Sequence, residues 1–202
     1  MEALISTFVF FFAVIDPIGT VPVFLAVTRG YDARDKRQTA LIAVLVSAGV
    51  LLFFVVAGEF ILKAIDIPLP AFQTAGGLVL FLFAMTMIFG EGKPEGEVRI
   101  AKKTSETAIF PLAVPSIASP GAMLAAVLLT ENSRYSILEQ VLTSLTMLVV
   151  LFITLLLMLA ASPVHRLIGD SGASIISRVM GLILASVATA SVMAGIKAYF
   201  GL

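Results

Sequence analysis

Long apolar stretches, each bounded by charged and turn residues, dominate this chain and leave it few ways to fold. Six can be drawn, over residues 3–28, 39–62, 69–90, 107–130, 137–162 and 178–199. About 20 apolar residues are enough for a helix to cross the hydrocarbon core of a bilayer. The runs are continuous and lack the short apolar/polar alternation of a barrel strand, so helices are expected. In 202 residues they leave room for a single transmembrane domain over 1–202 and no separate soluble one. Composition agrees, with 59% apolar and 13% charged residues against roughly 45–50% and 25% in soluble domains. Mean hydropathy is +1.09. The first stretch lacks the basic flank and small-residue cleavage site of a secretory signal, so it reads as a retained span.

The same composition removes several kinds of chemistry. Thirteen Lys and Arg balance thirteen Asp and Glu, so no nucleic-acid footprint is present. The chain has no cysteine, which excludes disulfides, thiol catalysis and thiolate metal sites. Its one histidine, His165, flanks the fifth stretch and reads as an interfacial residue. A histidine metal site or a Ser/His hydrolase therefore has little to work with. An aspartyl intramembrane protease needs two deep carboxylates, and only Asp16 lies at mid-membrane. Glu59, Glu106 and Glu131 fall near expected helix ends, where water is accessible. No enzyme, metal centre or cofactor is expected.

Basic residues fall unevenly between the loops. Arg29, Arg34, Lys36 and Arg37 follow the first stretch, Lys93, Arg99, Lys102 and Lys103 the third, and Arg166 and Arg178 the fifth. Only Lys63, Arg134 and Lys197 fall on the other side. Cytoplasmic loops carry the excess of Lys and Arg, which puts both termini outside the cytoplasm. The Gly- and charge-rich segment over about 91–106 is then a cytoplasmic loop.

The two halves resemble each other at an offset of about 102–104 residues. Asp16-Pro17-Ile18-Gly19 lies over Ser119-Pro120-Gly121 with one residue deleted, and Thr28 lies over Thr130. Thr39 and Leu41 match Thr143 and Leu145, while Gly77, Leu78, Leu80 and Ala84 match Gly181, Leu182, Leu184 and Ala188. Three helices per half force the second half into the membrane from the opposite side. The expected fold is an all-α integral membrane protein of six helices. It is built from two inverted three-helix repeats, about 1–92 and 105–202, with the first and fourth helices broken. That arrangement is a transporter architecture, with the substrate site near the midplane where the halves meet.

The breaks themselves are the most informative residues. In Ile15-Asp16-Pro17-Ile18-Gly19-Thr20-Val21-Pro22, two prolines each remove a backbone donor and Gly19 admits unusual backbone angles. The fourth stretch repeats the device with Pro111, Pro115, Pro120 and Gly121. Backbone groups freed in this way cannot face lipid, so they must be buried in protein or line a wet cavity. Each break also creates a half-helix N-terminus, which favours anions such as a carboxylate. An isolated carboxylate at the bilayer centre is expensive, so Asp16 should be protonated, paired, or bound to a cation or an ammonium group. It can also serve as the N-cap of the following half-helix, ahead of Pro17 at the first position. The candidate substrate and ion site is therefore Asp16, Pro17, Gly19, Thr20, Pro22, Ser119, Pro120 and Gly121. Gly76 and Gly77 are carried with it, although small residues here and from Gly181 to Ala194 read first as close-packing positions.

At these residues the chain resembles the MarC family of bacterial and archaeal inner-membrane proteins, within the wider lysine-exporter-like superfamily. The matching elements are Asp16-Pro17-Ile18-Gly19-Thr20 with its flanks, Ala71-Phe72-Gln73-Thr74-Ala75-Gly76-Gly77, and Pro111-Leu112-Ala113-Val114-Pro115 running into Ser119-Pro120-Gly121-Ala122. Together they span essentially the whole chain. The family usually carries Gly-Pro-Gly where this chain has Ser119-Pro120-Gly121, a departure that bears on the backbone at the second break and offers a hydroxyl as an added ligand there. The resemblance implies a six-helix protein of the plasma (inner) membrane. It also implies a transporter of small neutral amino acids such as glycine or alanine, coupled to H+ or to Na+ held near Asp16. The partners are then an amino acid, a coupling ion and the lipid bilayer, with a homo-oligomer left open. A channel, or an assembly or stress factor without transport, remains the alternative.

Overall fold

A computed structural model describes residues 2–89, 108–132 and 134–201, and among them every regular element is a helix. The chain runs through α1 (Glu2–Ile15), α2 (Pro17–Val27), α3 (Ala33–Ala64) and α4 (Leu69–Phe89). It continues through α5 (Ala108–Ile117), α6 (Pro120–Leu128), α7 (Ile137–Leu159) and α8 (Ala161–Phe200). The loop expected over 91–106 lies outside the described residues.

Five spans are long and apolar enough to cross a membrane: Leu4–Val27, which joins α1 and α2, then Ala33–Ala64, Leu69–Phe89, Ile137–Leu159 and Ser174–Phe200. A sixth exists if α5 and α6, which meet at a bend of 56°, are counted as one. The protein is integral to a membrane. Exposed apolar side chains such as Leu45, Val56, Phe60 and Leu82 suit a lipid-facing surface.

Helix ends depart from the apolar boundaries where polar residues extend or stop the winding. α3 starts at Ala33 rather than at residue 39, because Asp32 accepts the Asp35 N–H at 2.7 Å and charged helix formers follow. α7 starts where expected, behind a capping box in which Ser136 and Glu139 satisfy each other's backbone N–H groups. It stops at Leu159, three residues before the expected end. α8 then begins at Ala161 and breaks at Gly169, whose φ of 67° and ψ of 172° only glycine adopts readily. The sixth span therefore starts before residue 178, at Ser174.

The most extensive helix pair is α4 on α8, packed antiparallel through small residues. A Cβ at Gly77 would lie 3.0 Å from the Ala188 carbonyl oxygen, and one at Gly181 would lie 3.2 Å from the Ala84 carbonyl oxygen. Leu80, Ala84, Leu184 and Ala188 are fully buried in the same seam. In lipid such close approach replaces the hydrophobic drive that would join two helices in water. α2 packs on α8 and α7, while α3 packs on α5, α6 and α7. The Ser47 hydroxyl, which donates to the Ala43 carbonyl of its own helix at 2.8 Å, also reaches the Ala113 carbonyl of α5 at 3.3 Å.

Candidate functional site

A single residue, Asp16, separates α1 from α2. Its φ of 49° and ψ of 68° lie in the left-handed region, which Asp tolerates better than most residues. The Asp16 N–H still donates to the Phe12 carbonyl, and the Asp16 carbonyl still accepts from the Thr20 N–H, each at 3.0 Å. Pro17, with no N–H, has nothing to offer the Ala13 carbonyl four residues back. The Gly19 N–H turns instead to Asp16 Oδ1 at 2.9 Å, so Asp16 caps α2 as the sequence allowed. Thr20 Oγ1 donates to the Asp16 carbonyl at 2.9 Å.

The second break uses the same plan at the repeat offset. Ser119 is the N-cap of α6, Pro120 follows at the first position, and the Ala122 N–H donates to Ser119 Oγ at 3.2 Å. The two breaks touch. Ser119 Oγ donates to the Val14 carbonyl, in the last turn of α1, at 3.2 Å. The Ser119 hydroxyl thus commits its proton to Val14 and one lone pair to the Ala122 N–H, which leaves a second lone pair of the two a hydroxyl carries. Gly121 permits the approach, since a Cβ there would lie 2.7 Å from Val14 Cγ1 and against Leu80.

Asp16 is 1% exposed, and a third element reaches it. Ser177 of α8, itself buried, donates from Oγ to Asp16 Oδ2 at 3.1 Å. No Lys or Arg pairs with Asp16 among the described residues, where the ion pairs are Lys63–Glu59 and Arg134–Glu131. Gly19 leaves the space for this contact, because a Cβ there would run into the Asp16 carboxylate and lie 2.5 Å from Ser177 Oγ. No group of three or more His, Asp or Glu could hold a metal ion among the described residues.

The other expected site residues divide. Pro17, Gly19 and Thr20 are buried beside Asp16, and Pro22 is half-buried one turn further along α2. Ser119 and Gly121 are buried, whereas Pro120 is exposed. Pro111 and Pro115 stand apart in α5, where the residues before them, Phe110 and Val114, are extended as pre-proline residues tend to be. Gly76 and Gly77 lie against Leu124 of α6 and against Ala188 and Val192 of α8. Their place is helix packing. Glu131 was expected near water but is 6% exposed, with Arg134 at 3.0 Å. Sequence reasoning missed Ser177, which falls just before the start of the expected sixth span.

A cavity of 410 Å³ opens beyond the C-terminal end of α2, lined by Phe24, Lys36, Arg37 and Met158 among others. The model for "MarC family integral membrane protein" matches residues 1–200. The chain belongs to the MarC family. Its relatives there include the UPF0056 membrane protein MJ1677 of Methanocaldococcus jannaschii, 34% identical over 98% of this chain and 97% of the relative. The UPF0056 membrane protein YvbG of Bacillus subtilis is 31% identical over 98% of this chain and 95% of its own length. The UPF0056 inner membrane protein YhgN of Escherichia coli K12 is 31% identical over 98% of each chain. No solved structure matches this MarC-family chain.

Proposed function

We propose that this MarC-family protein is a secondary transporter of small neutral amino acids in the inner membrane, coupled to H+ or Na+. The observation that carries the reading is the Ser119–Val14 hydrogen bond, which joins two interrupted helices beside the buried Asp16 carboxylate. Half-helix N-termini attract a carboxylate, while Asp16 serves a coupling cation or the substrate's ammonium group. A carboxylate offers about four acceptor sites, and the protein donates to each Asp16 oxygen once. Capacity remains for a cation.

Alternating access in such proteins comes from one repeat rocking against the other. The reading takes the two halves as inverted repeats with both termini outside the cytoplasm. The α4–α8 seam supports the repeat: Gly77 lies on Ala188 and Gly181 on Ala84, the matched positions exchanged between halves. So do the matched caps at Asp16 and Ser119.

The test is uptake of labelled glycine or alanine by proteoliposomes under an imposed Na+ or pH gradient. Saturable, gradient-driven uptake is the expected result. Flux that never saturates would make the protein a channel, and no flux from folded protein would leave a membrane factor without transport.

A further inference from the structure

A second cavity, of 460 Å³, lies toward the opposite end of the molecule from the Lys36–Arg37 cavity. Its volume falls within the range of about 300–1,000 Å³ common for small-molecule sites. Phe10 of α1 and Leu128 of α6 supply apolar wall, and Ser6, Gln73, Arg134, Tyr135 and Ser191 supply polar groups. We propose that this cavity is a binding site for a zwitterionic α-amino acid, distinct from the helix breaks, with Gln73 receiving the ammonium group and Arg134 the carboxylate.

The unsatisfied group is Gln73. Its side chain is only 8% exposed and lines the cavity, yet Oε1 has no hydrogen-bond partner. Burying an amide oxygen without a donor is unfavourable, and an N–H donor from a ligand removes that cost. Arg134 is the one charged residue of the lining among the described residues. Its Nε faces Glu131 at 3.0 Å, and a guanidinium carries four further N–H donors on its terminal nitrogens. A buried acceptor without a donor and a cation together select a ligand bearing both a donor and an anion. An amine or a carboxylate alone satisfies only half.

The wall that carries Arg134 is held in place. Glu59 Oε2 accepts from the Asn132 N–H and from Asn132 Nδ2, both at 2.8 Å. Gln140 Nε2 donates to Asn132 Oδ1 at 3.0 Å and to the Tyr135 carbonyl at 3.1 Å. The turn between α6 and α7 is thus fastened to α3 and α7 before any ligand arrives. The choice of an amino acid over other zwitterions rests on the transport reading above.

Because the chain has no cysteine, Ser191→Cys places a unique thiol in the cavity. The measurement is its rate of alkylation by N-ethylmaleimide in purified protein, with L-alanine, propionate or ethylamine present. L-alanine is expected to protect, and the two half-ligands are not. Adding Gln73→Leu should raise the half-protecting concentration about tenfold, the weight of one hydrogen bond to a charged group. That change removes the unsatisfied oxygen, so folding should survive it, and Ser6→Cys provides a second reporter. Absence of protection, protection equal with propionate, or indifference to Gln73→Leu would each overturn the site. Protection without any liposome flux would refute the transport reading and leave the site standing; flux without protection would do the reverse.

Discussion

Ser177 donates a hydrogen bond to Asp16 across 161 positions of sequence, joining the sixth span to the interruption in the first. The carboxylate is thereby held from two sides, by its own half-helix through Gly19 and by α8 through Ser177. Ser177→Ala removes one of two donors to a buried carboxyl group and leaves an acceptor without its partner, a loss of about 1–3 kcal/mol. The melting temperature in detergent should fall, and gradient-driven uptake should weaken with it. An unchanged melting curve would mean that this hydroxyl does not hold the carboxylate.

The reciprocal glycine contacts between α4 and α8 allow a symmetric test. A side chain at Gly77 meets Ala188 and Val192, and one at Gly181 meets Ala84, Met87 and Ile88, all within 3.2 Å. Backbone oxygens cannot yield as a flexible side chain can. Gly77→Leu and Gly181→Leu should therefore destabilise by similar amounts, about 1–3 kcal/mol each by overpacking. A Cβ at Gly49 meets nothing within 4 Å, so Gly49→Leu should stay within about 0.5 kcal/mol of the parent. Melting curves of the three variants decide it, and strongly unequal effects at Gly77 and Gly181 would count against an inverted repeat.

What was legible in the sequence was whatever acts along the chain. Apolar length gave the spans, and the Asp16-Pro17 pair gave the cap of α2, because a cap is a contact over three residues. The contact of the breaks could be anticipated only through the repeat. Ser177 could not be read, because the last apolar run was taken to begin at residue 178 and a lone serine carries no periodic signal. Gln73 stood inside a recognised motif, but nothing local marks an amide oxygen that tertiary packing will leave without a donor. Gly76 and Gly77 show the converse ambiguity, since glycine beside a candidate site looks the same whether it admits a ligand or a neighbouring helix.

Orientation can be tested with the same cysteine-free background. On the sequence reading, Arg34 lies on the side with ten basic residues and Lys63 on the side with three. Single cysteines at Arg34→Cys and Lys63→Cys should react differently with a membrane-impermeant maleimide applied to intact cells. Labelling is expected at position 63 alone, where the lysine side chain is 71% exposed. Reaction at position 34 alone would reverse the orientation.

The charge of Asp16 can be separated from its role as a cap. Asp16→Asn keeps the shape and can still accept the Gly19 N–H, so the N-cap and the melting temperature should be nearly preserved. A neutral amide neither exchanges a proton nor binds a cation well, so ion-driven amino-acid uptake should be abolished. Asp16→Ala removes the cap as well, adding about 0.5–2 kcal/mol of destabilisation. It also imposes the left-handed backbone on a residue that tolerates it less well than Asp. If Asp16 were only a cap, the ordering would differ: Asn would transport almost normally, and Ala would fail through instability alone. Proteoliposome uptake under a Na+ or pH gradient, paired with melting curves in detergent, distinguishes the two. Ion-dependent uptake by Asp16→Asn at the parent rate would reduce Asp16 to a structural residue and remove the carboxylate from the coupling mechanism.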